Sequence, residues 1–114
     1  MNAIFEAFNF KRICNSGDVS YFRRGNIKIT VDNKTIIVKD HKTLSVEYSD
    51  RSLLLLIAYA LLPSYYRKNL NFETINDLAS IYDKTIQTRA EKLYSDRLLA
   101  VMIEFQEIKS QNKN

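Results

Sequence analysis

The sequence predicts one α+β domain, in which a four-stranded antiparallel β-meander at about residues 19–48 packs against three to four α-helices. In the first half, apolar and polar residues alternate between turn residues, which is typical of half-buried strands. In the second half, apolar residues recur at three- and four-residue spacing, which is typical of amphipathic helices. The 114 residues fit a single domain, with a sheet half at 1–49 and a helical half at 50–109.

The four strands follow from alternation and turn chemistry. Turns are expected at Gly25-Asn26, Asp32-Asn33 and Asp40-His41-Lys42, because glycine, Asn and Asp tolerate the backbone that tight turns need. The strands between them are Val19 to Arg24, Asn26 to Val31, Thr35 to Lys39 and Thr43 to Tyr48.

Strand register is predicted from turn length. Two-residue turns place Phe22 opposite Ile29 and Ile29 opposite Ile36, and residues directly opposite share a face. All three turns put the same apolar set on one face, and a slip of one residue would destroy that agreement. The set is Phe22, Ile27, Ile29, Ile36, Val38, Leu44 and Val46.

Capping residues and apolar spacing predict the helices. Ser49-Asp50 caps a helix at about 51–62, which is apolar nearly all round and should be the central buried helix. Helices are also expected at about 72–94 and 95–109, either as two helices or as one that kinks at Ser95-Asp96.

The sequence predicts the structure of both ends of the chain. Ile4, Phe5 and Phe8 are spaced for a short N-terminal helix, and the polar residues 110–114 are expected to form a disordered tail. The first ten residues lack the basic start and cleavage site of a signal peptide. A cytoplasmic protein is expected, since there is a single cysteine and the longest apolar run, Leu53 to Leu62, is half of a membrane span.

The residue inventory argues against an enzyme. His41 is the only histidine and is expected to be a solvated turn residue, and Cys14 is the only cysteine and is expected to be a buried, inert thiol. One His and one Cys do not make an ordinary zinc site, and two glycines do not make a phosphate loop. Neither a cofactor nor a metal is predicted.

The outer face of the predicted sheet carries the main functional hypothesis. Tyr21, Arg23, Lys28 and Lys39 share that face, and Arg23 lies opposite Lys28. Cations around an aromatic ring on an open sheet are suited to single-stranded nucleic acid, whose phosphates meet the charges and whose bases stack on the ring. The alternative is that these residues simply keep the sheet soluble. The net charge of +4 permits an anionic partner without requiring one.

A second hypothesis concerns residues 74–93. Thr74 to Tyr82, followed by Asp83-Lys84-Thr85, resembles the first helix and turn of a helix-turn-helix. The recognition helix would offer five residues to DNA: Thr85, Gln87, Thr88, Arg89 and Lys92. That family places small apolar residues where this chain has Lys84 and Arg89, and glycine where it has Asp83. Ordinary amphipathic helices are therefore favoured.

A third surface is the predicted loop after Pro63, which carries Tyr65, Tyr66, Arg67 and Lys68. Tyrosine and arginine are enriched at protein–protein hot spots, so this loop is a candidate anchor for a protein partner. A homodimer is a further candidate, because the edges of a meander need covering or pairing.

These observations together predict a small non-enzymatic binding protein. Its partner would be single-stranded nucleic acid or a host protein or nucleoprotein complex. The alternatives are a helix-turn-helix regulator and a dimeric protein-interaction module. Residues with AT-rich codons far outnumber those with GC-rich codons, so a virus, phage or other mobile element is a candidate source, as are many bacteria.

Overall fold

A computed structural model describes residues 2–111 and contains, within them, five helices and one five-stranded antiparallel sheet. The strands are β1 (Lys11–Ser16), β2 (Val19–Arg24), β3 (Ile27–Val31), β4 (Thr35–Lys39) and β5 (Thr43–Glu47), and they pair in that order. The helices are α1 (Asn2–Ala7), α2 (Asp50–Ala60), α3 (Ser64–Asn69), α4 (Ile75–Asp83) and α5 (Arg89–Gln111). The α+β class and the short N-terminal helix are confirmed, whereas residues 2–111 form five strands where four were predicted, and five helices where three to four were predicted.

The inner face of the sheet forms one side of the core. Phe22, Ile29 and Ile36 are fully buried, as the alternation predicts, and they join the buried side chains of α2 in one apolar cluster. The ring of Phe5 on α1 stacks on Phe22 at 4.0 Å between centroids. Ser49 caps α2 by accepting a hydrogen bond from the backbone N–H of Ser52. The helix is buried on most sides, which confirms it as the central helix.

Strand β1 is the strand that the sequence did not predict. All six of its residues are exposed, and its sequence KRICNS shows no alternation of apolar and polar side chains. It is held as an edge strand by backbone pairing with β2 across the turn at Gly17, whose φ is +60°. Because neither face of β1 is buried, its sequence has no alternation of apolar and polar residues from which a strand could be predicted.

The β3–β4 turn lies one residue later than predicted, at Asn33-Lys34, where the Asp32 N–H donates to the Thr35 carbonyl oxygen at 3.0 Å. Ile29 lies opposite Val38, not Ile36. The side chain of Asp32 explains the difference, because its Oδ1 accepts hydrogen bonds from the backbone N–H groups of Lys34 and Thr35, at 2.7 and 2.6 Å. An aspartate that bonds its own following backbone in this way favours a turn immediately after itself, and moving the turn by one residue shifts the register by two. A shift of two residues keeps every side chain on its predicted face.

The break between the last two helices lies at residues 84–88, and not at Ser95-Asp96 as predicted. The chain leaves the helix after Asp83 and begins α5 at Arg89, and α5 then runs without a break through Ser95-Asp96. The cause is a capping box at Thr88 and Glu91. The Thr88 hydroxyl accepts from the Glu91 N–H at 3.0 Å, and the Glu91 carboxylate accepts from the Gln87 and Thr88 N–H groups.

The end of α5 also differs from expectation. Ser110 and Gln111 belong to the helix, although they were predicted to start a disordered tail. The remainder of that predicted tail, 112–114, lies outside the described residues.

The capping box makes stability depend on pH. The ion pair with the Lys84 side chain, at 2.8 Å, and the N–H bond from Gln87 lower the pKa of Glu91 to about 2. A folded-state pKa below the unfolded value near 4.5 gives stability that is present above pH 4.5 and is lost as pH falls towards 2. Between pH 5 and pH 2.5, the wild type should therefore lose about 1–2 kcal/mol more free energy of unfolding than Glu91→Gln.

Urea denaturation at a series of pH values measures this difference. Glu107→Gln, a change at an exposed carboxylate on the same helix, is the control and should follow the wild type. Parallel pH profiles for the wild type and Glu91→Gln would show that the box does not stabilise the start of α5.

Candidate nucleic-acid interface

Four basic side chains form one row across the outer face of the sheet. Lys11 lies opposite Arg23, Arg23 opposite Lys28, and Lys28 opposite Lys39, so β1 to β4 each contribute one cation. All four residues are exposed. Adjacent strands lie about 4.8 Å apart, so the row is about 14 Å long. We call these four residues the cation row.

The displaced β3–β4 turn places Lys39 in the row. In the register predicted from the sequence, Lys28 would lie opposite Ile37. The two-residue shift imposed by Asp32 instead sets Lys39 directly opposite Lys28. Strand β1 then adds Lys11 to the other end of the row, which is a position that could not be predicted without that strand. A bulge lies between Arg12 and Cys14, beyond the Lys11–Arg23 pair.

The positive charges of the row are not offset within the described residues. The four ion pairs between 2 and 111 all use other cations, namely those of Arg67, Lys84, Lys92 and Lys109. Arg23 donates from Nε to the carbonyl oxygen of Gly25 at 2.9 Å, which orients its guanidinium without neutralising it. Like charges directly opposite each other destabilise a sheet. An anion that spans the row would relieve that repulsion.

Tyr21 lies beside the row, two residues before Arg23 on β2, and is half-buried. It pairs with Thr30 on β3 and with Cys14 on β1, and among the described strands it is the one aromatic residue of the outer face. The exposed Cys14 corrects the prediction of a buried thiol, because β1 is covered on neither face. With one ring available, the face offers more to phosphates than to bases.

The predicted tyrosine loop is the helix α3, and only part of it is accessible. Tyr65 is 71% exposed and meets the half-buried Tyr66 edge to face, at 5.5 Å between centroids. Lys68 is exposed, whereas Arg67 is buried, with 7% of its surface accessible. The interaction hypothesis at this surface is therefore reduced to Tyr65 and Lys68, with the edge of Tyr66.

Arg67 instead closes the β4–β5 hairpin onto the helices. Its Nε donates to the buried Asp40 carboxylate at 2.6 Å, and its Nη1 donates to the carbonyl oxygen of Leu62. The Tyr59 hydroxyl donates to the same Asp40 oxygen, and burial, with the Asp40 charge, raises the pKa of Tyr59. His41 is exposed as predicted, and its Nε2 is 3.1 Å from the Ser64 hydroxyl.

The helix-turn-helix hypothesis lacks its recognition helix. Residues 85–88 are not helical, so Thr85, Gln87 and Thr88 do not lie on a helix that could enter a groove. The Gln87 and Thr88 N–H groups are used to cap α5, while Arg89 and Lys92 lie in its first turn. Lys92 is 3.4 Å from Asp96. These five residues therefore lie at and just before a capped helix start, and they do not share one helix as predicted.

One exposed apolar surface was not predicted. Leu99, Met102 and Ile103 on α5 are 50%, 38% and 53% exposed, and they lie along one flank of the buried face that carries Leu98, Val101 and Phe105. Leu99 and Ile103 are four residues apart and fall outside the core stripe, so this pattern was available in the sequence. We call Leu99, Met102 and Ile103 the α5 stripe.

Similarity to known proteins, a metal site and a membrane-spanning helix are three common pointers to function. Comparison with protein-family models, with curated proteins and with solved structures gave no match. Within residues 2–111, no three side chains of the His, Cys, Asp and Glu types are placed to share a metal ion. In the same part of the chain, every helix is too short or too polar to cross a bilayer.

Because the charges of the cation row are not compensated, we expect the removal of one of them to stabilise the fold. Lys28 has a cation on each side, so Lys28→Gln should raise the free energy of unfolding by about 0.5–1 kcal/mol at low ionic strength. The gain should disappear in about 1 M salt, where the screening length is about 3 Å. Urea denaturation at both salt concentrations measures this difference.

Lys34→Gln is the matched control, because Lys34 is exposed in the β3–β4 turn and lies off the row. It should change stability by less than about 0.5 kcal/mol at either salt concentration. If Lys28→Gln destabilises the protein at low salt, repulsion between the charges of the cation row does not limit the stability of the fold.

Proposed function

We propose that this protein is a non-enzymatic nucleic-acid-binding protein that holds the phosphate backbone of a single strand along the cation row. The observation that carries the proposal is the row itself. Four exposed cations stand in register on neighbouring strands, and none of them is paired with a carboxylate in residues 2–111. A fold that keeps like charges adjacent gains the most from an anionic ligand that is itself a row of charges.

The chemistry of the row favours contacts that do not depend on base sequence. Lysine ammonium groups bind phosphates as point charges, and the Arg23 guanidinium can form a bidentate pair. Each phosphate neutralised releases counterions, with a slope of about −0.7 in log K against log salt for each contact to a single strand. Four contacts therefore predict a slope of about −3.

A single strand suits the surface better than a duplex. A flexible strand can follow a row about 14 Å long and can turn a base towards Tyr21, which lies beside Arg23. Stacking on one ring contributes about 1–3 kcal/mol and accepts any base. The segment predicted as a recognition helix is not helical at residues 85–88, which argues against the duplex reading of that segment.

The decisive experiment compares two double variants of equal net charge. Lys28→Gln/Lys39→Gln removes half of the row, whereas Lys34→Gln/Lys68→Gln removes two exposed lysines that lie off it. Fluorescence anisotropy with a labelled single strand of DNA or RNA, and with a duplex, gives the affinity at several salt concentrations. The row variant should bind the single strand at least about tenfold more weakly at low salt, with the slope reduced by about 1.4.

The control double variant should stay within about twofold of the wild type, as expected for charges that do not contact the strand. Equal weakening by both variants would show that only net charge matters. No binding of either strand type by the wild type at low salt would remove the proposal altogether.

A second candidate function is self-association through the α5 stripe. Exposed apolar patches rimmed by polar residues commonly mark protein interfaces. Two antiparallel copies of α5 can set Leu99 of one against Ile103 of the other, and this arrangement is self-complementary as two-fold symmetry requires. In that register Asp96 faces Gln106, so no like charges meet.

Sedimentation or light scattering over a range of protein concentrations tests this dimer. Ile103→Glu should give a monomer at concentrations where the wild type is dimeric, because it places a charge in the apolar contact. Ile86→Glu, at an isoleucine that is 41% exposed before α5, is the control and should leave the dimer intact. A wild type that stays monomeric at every concentration would exclude the α5 interface.

A further inference from the structure

A pocket of about 360 Å³ lies where the β2–β3 turn, the α2–α3 connection and α5 meet. Its volume is at the small end of the range for ligand sites. It opens beside the turn that follows Arg23 but is lined from the other side of that strand, by Arg24 and not by the cation row. The lining residues are Arg24, Gly25, Asn26, Leu61, Leu62, Pro63, Ser64, Arg67 and Arg97.

Three arginines line this pocket, and no carboxylate does so among the described residues. The charge of Arg67 is offset by its buried ion pair with Asp40. Arg24 donates from Nε to the neutral carbonyl oxygen of Phe8 at 3.1 Å, and Arg97 has no ion pair within residues 2–111. Two positive charges at the pocket are therefore not neutralised by the protein.

The arginines differ in how firmly they are held. Arg67 is 7% exposed, with two of its guanidinium nitrogens already bonded, and Arg24 is half-buried and anchored to Phe8. Side chains fixed in this way lose little freedom when a ligand arrives. Arg97 is exposed on α5, so it is free to close over a group placed between α5 and the turn.

We propose that this pocket binds a phosphate monoester, either the terminal phosphate of an oligonucleotide or that of a free nucleotide. A monoester carries nearly two negative charges at neutral pH, which matches the two uncompensated guanidinium groups of Arg24 and Arg97. Guanidinium groups bind phosphate oxygens in bidentate fashion, and the Ser64 hydroxyl supplies a further polar group. Leu61 and Pro63 give the attached organic group an apolar wall. The site is distinct from the cation row and does not depend on it.

Isothermal titration with AMP and with adenosine tests the pocket directly. AMP should bind and adenosine should not, because they differ only in the phosphate monoester. Arg97→Gln should weaken AMP binding by about tenfold, as expected for the loss of a charged hydrogen bond. Arg89→Gln removes another exposed arginine of α5 that does not line the pocket, and it should bind AMP within about twofold of the wild type.

The source of the phosphate is determined with two oligonucleotides that differ only in a 5′-phosphate or a 5′-hydroxyl. Tighter binding of the phosphorylated strand, lost in Arg97→Gln, assigns the pocket to a strand end. AMP binding without this preference assigns it to a free nucleotide. Both outcomes support the monoester site.

The proposal fails if AMP does not bind at millimolar concentration, or if adenosine binds equally well. It also fails if AMP binding is unchanged in both Arg97→Gln and Arg24→Gln. The Lys28→Gln/Lys39→Gln variant separates the two sites, since it should weaken both oligonucleotides equally and leave AMP binding unchanged. The two proposals can therefore be rejected independently, the cation row by oligonucleotide binding and the pocket by AMP binding.

Discussion

The whole molecule depends on the burial of one face of the sheet against the helices. Ile27, Ile29 and Ile36 are almost completely inaccessible, and each such side chain contributes about 1.5–3 kcal/mol by leaving water. A slip of one residue in β3 or β4 would turn these side chains to solvent, so the core fixes the register. The opposite face follows from the same constraint, because side chains alternate. The core thereby determines that Arg23, Lys28 and Lys39 point outward together.

A buried polar cluster attaches the far end of this sheet to the helices. Asp40 directly follows Lys39, and its carboxylate is held by Arg67 and Tyr59. Removing one partner of a buried ion pair leaves an uncompensated charge and costs about 3–5 kcal/mol, so this contact holds the hairpin in one position. The neighbouring Lys42 reinforces it, with its ammonium group 3.9 Å from the Phe72 ring centroid and bonded to the Phe72 carbonyl. The end of the cation row is thus fixed by groups that lie outside the row.

The sequence predicted the parts of this structure that bury an alternating face. Phe22 and Ile29 revealed the sheet and its outer face because one side of each strand is apolar and the other polar. The prediction of β1 failed because that strand buries nothing, and Lys11 was therefore absent from the predicted site. The β3–β4 register depended on the Asp32 side chain, which local turn rules did not resolve. Arg67 was predicted to be an accessible contact residue, and its burial could not be foreseen. Its partner, Asp40, is 27 residues away in sequence and is brought to it only by the fold.

The start of α5 could have been predicted, because its capping residues are recognisable in the sequence. Thr88 and Glu91 have the spacing of a capping box, and that pattern ends the preceding segment more firmly than Ser95-Asp96 does. The binding hypothesis itself rests on charge and geometry, so the central claim is that a single strand contacts the outer sheet face. Its most direct test is a map of backbone amide chemical shifts during titration with a short single-stranded oligonucleotide. The largest changes should fall on Arg23, Lys28 and Lys39 and their neighbours on β2 to β4, and shifts centred instead on α3 or α5, with the sheet unperturbed, would contradict it.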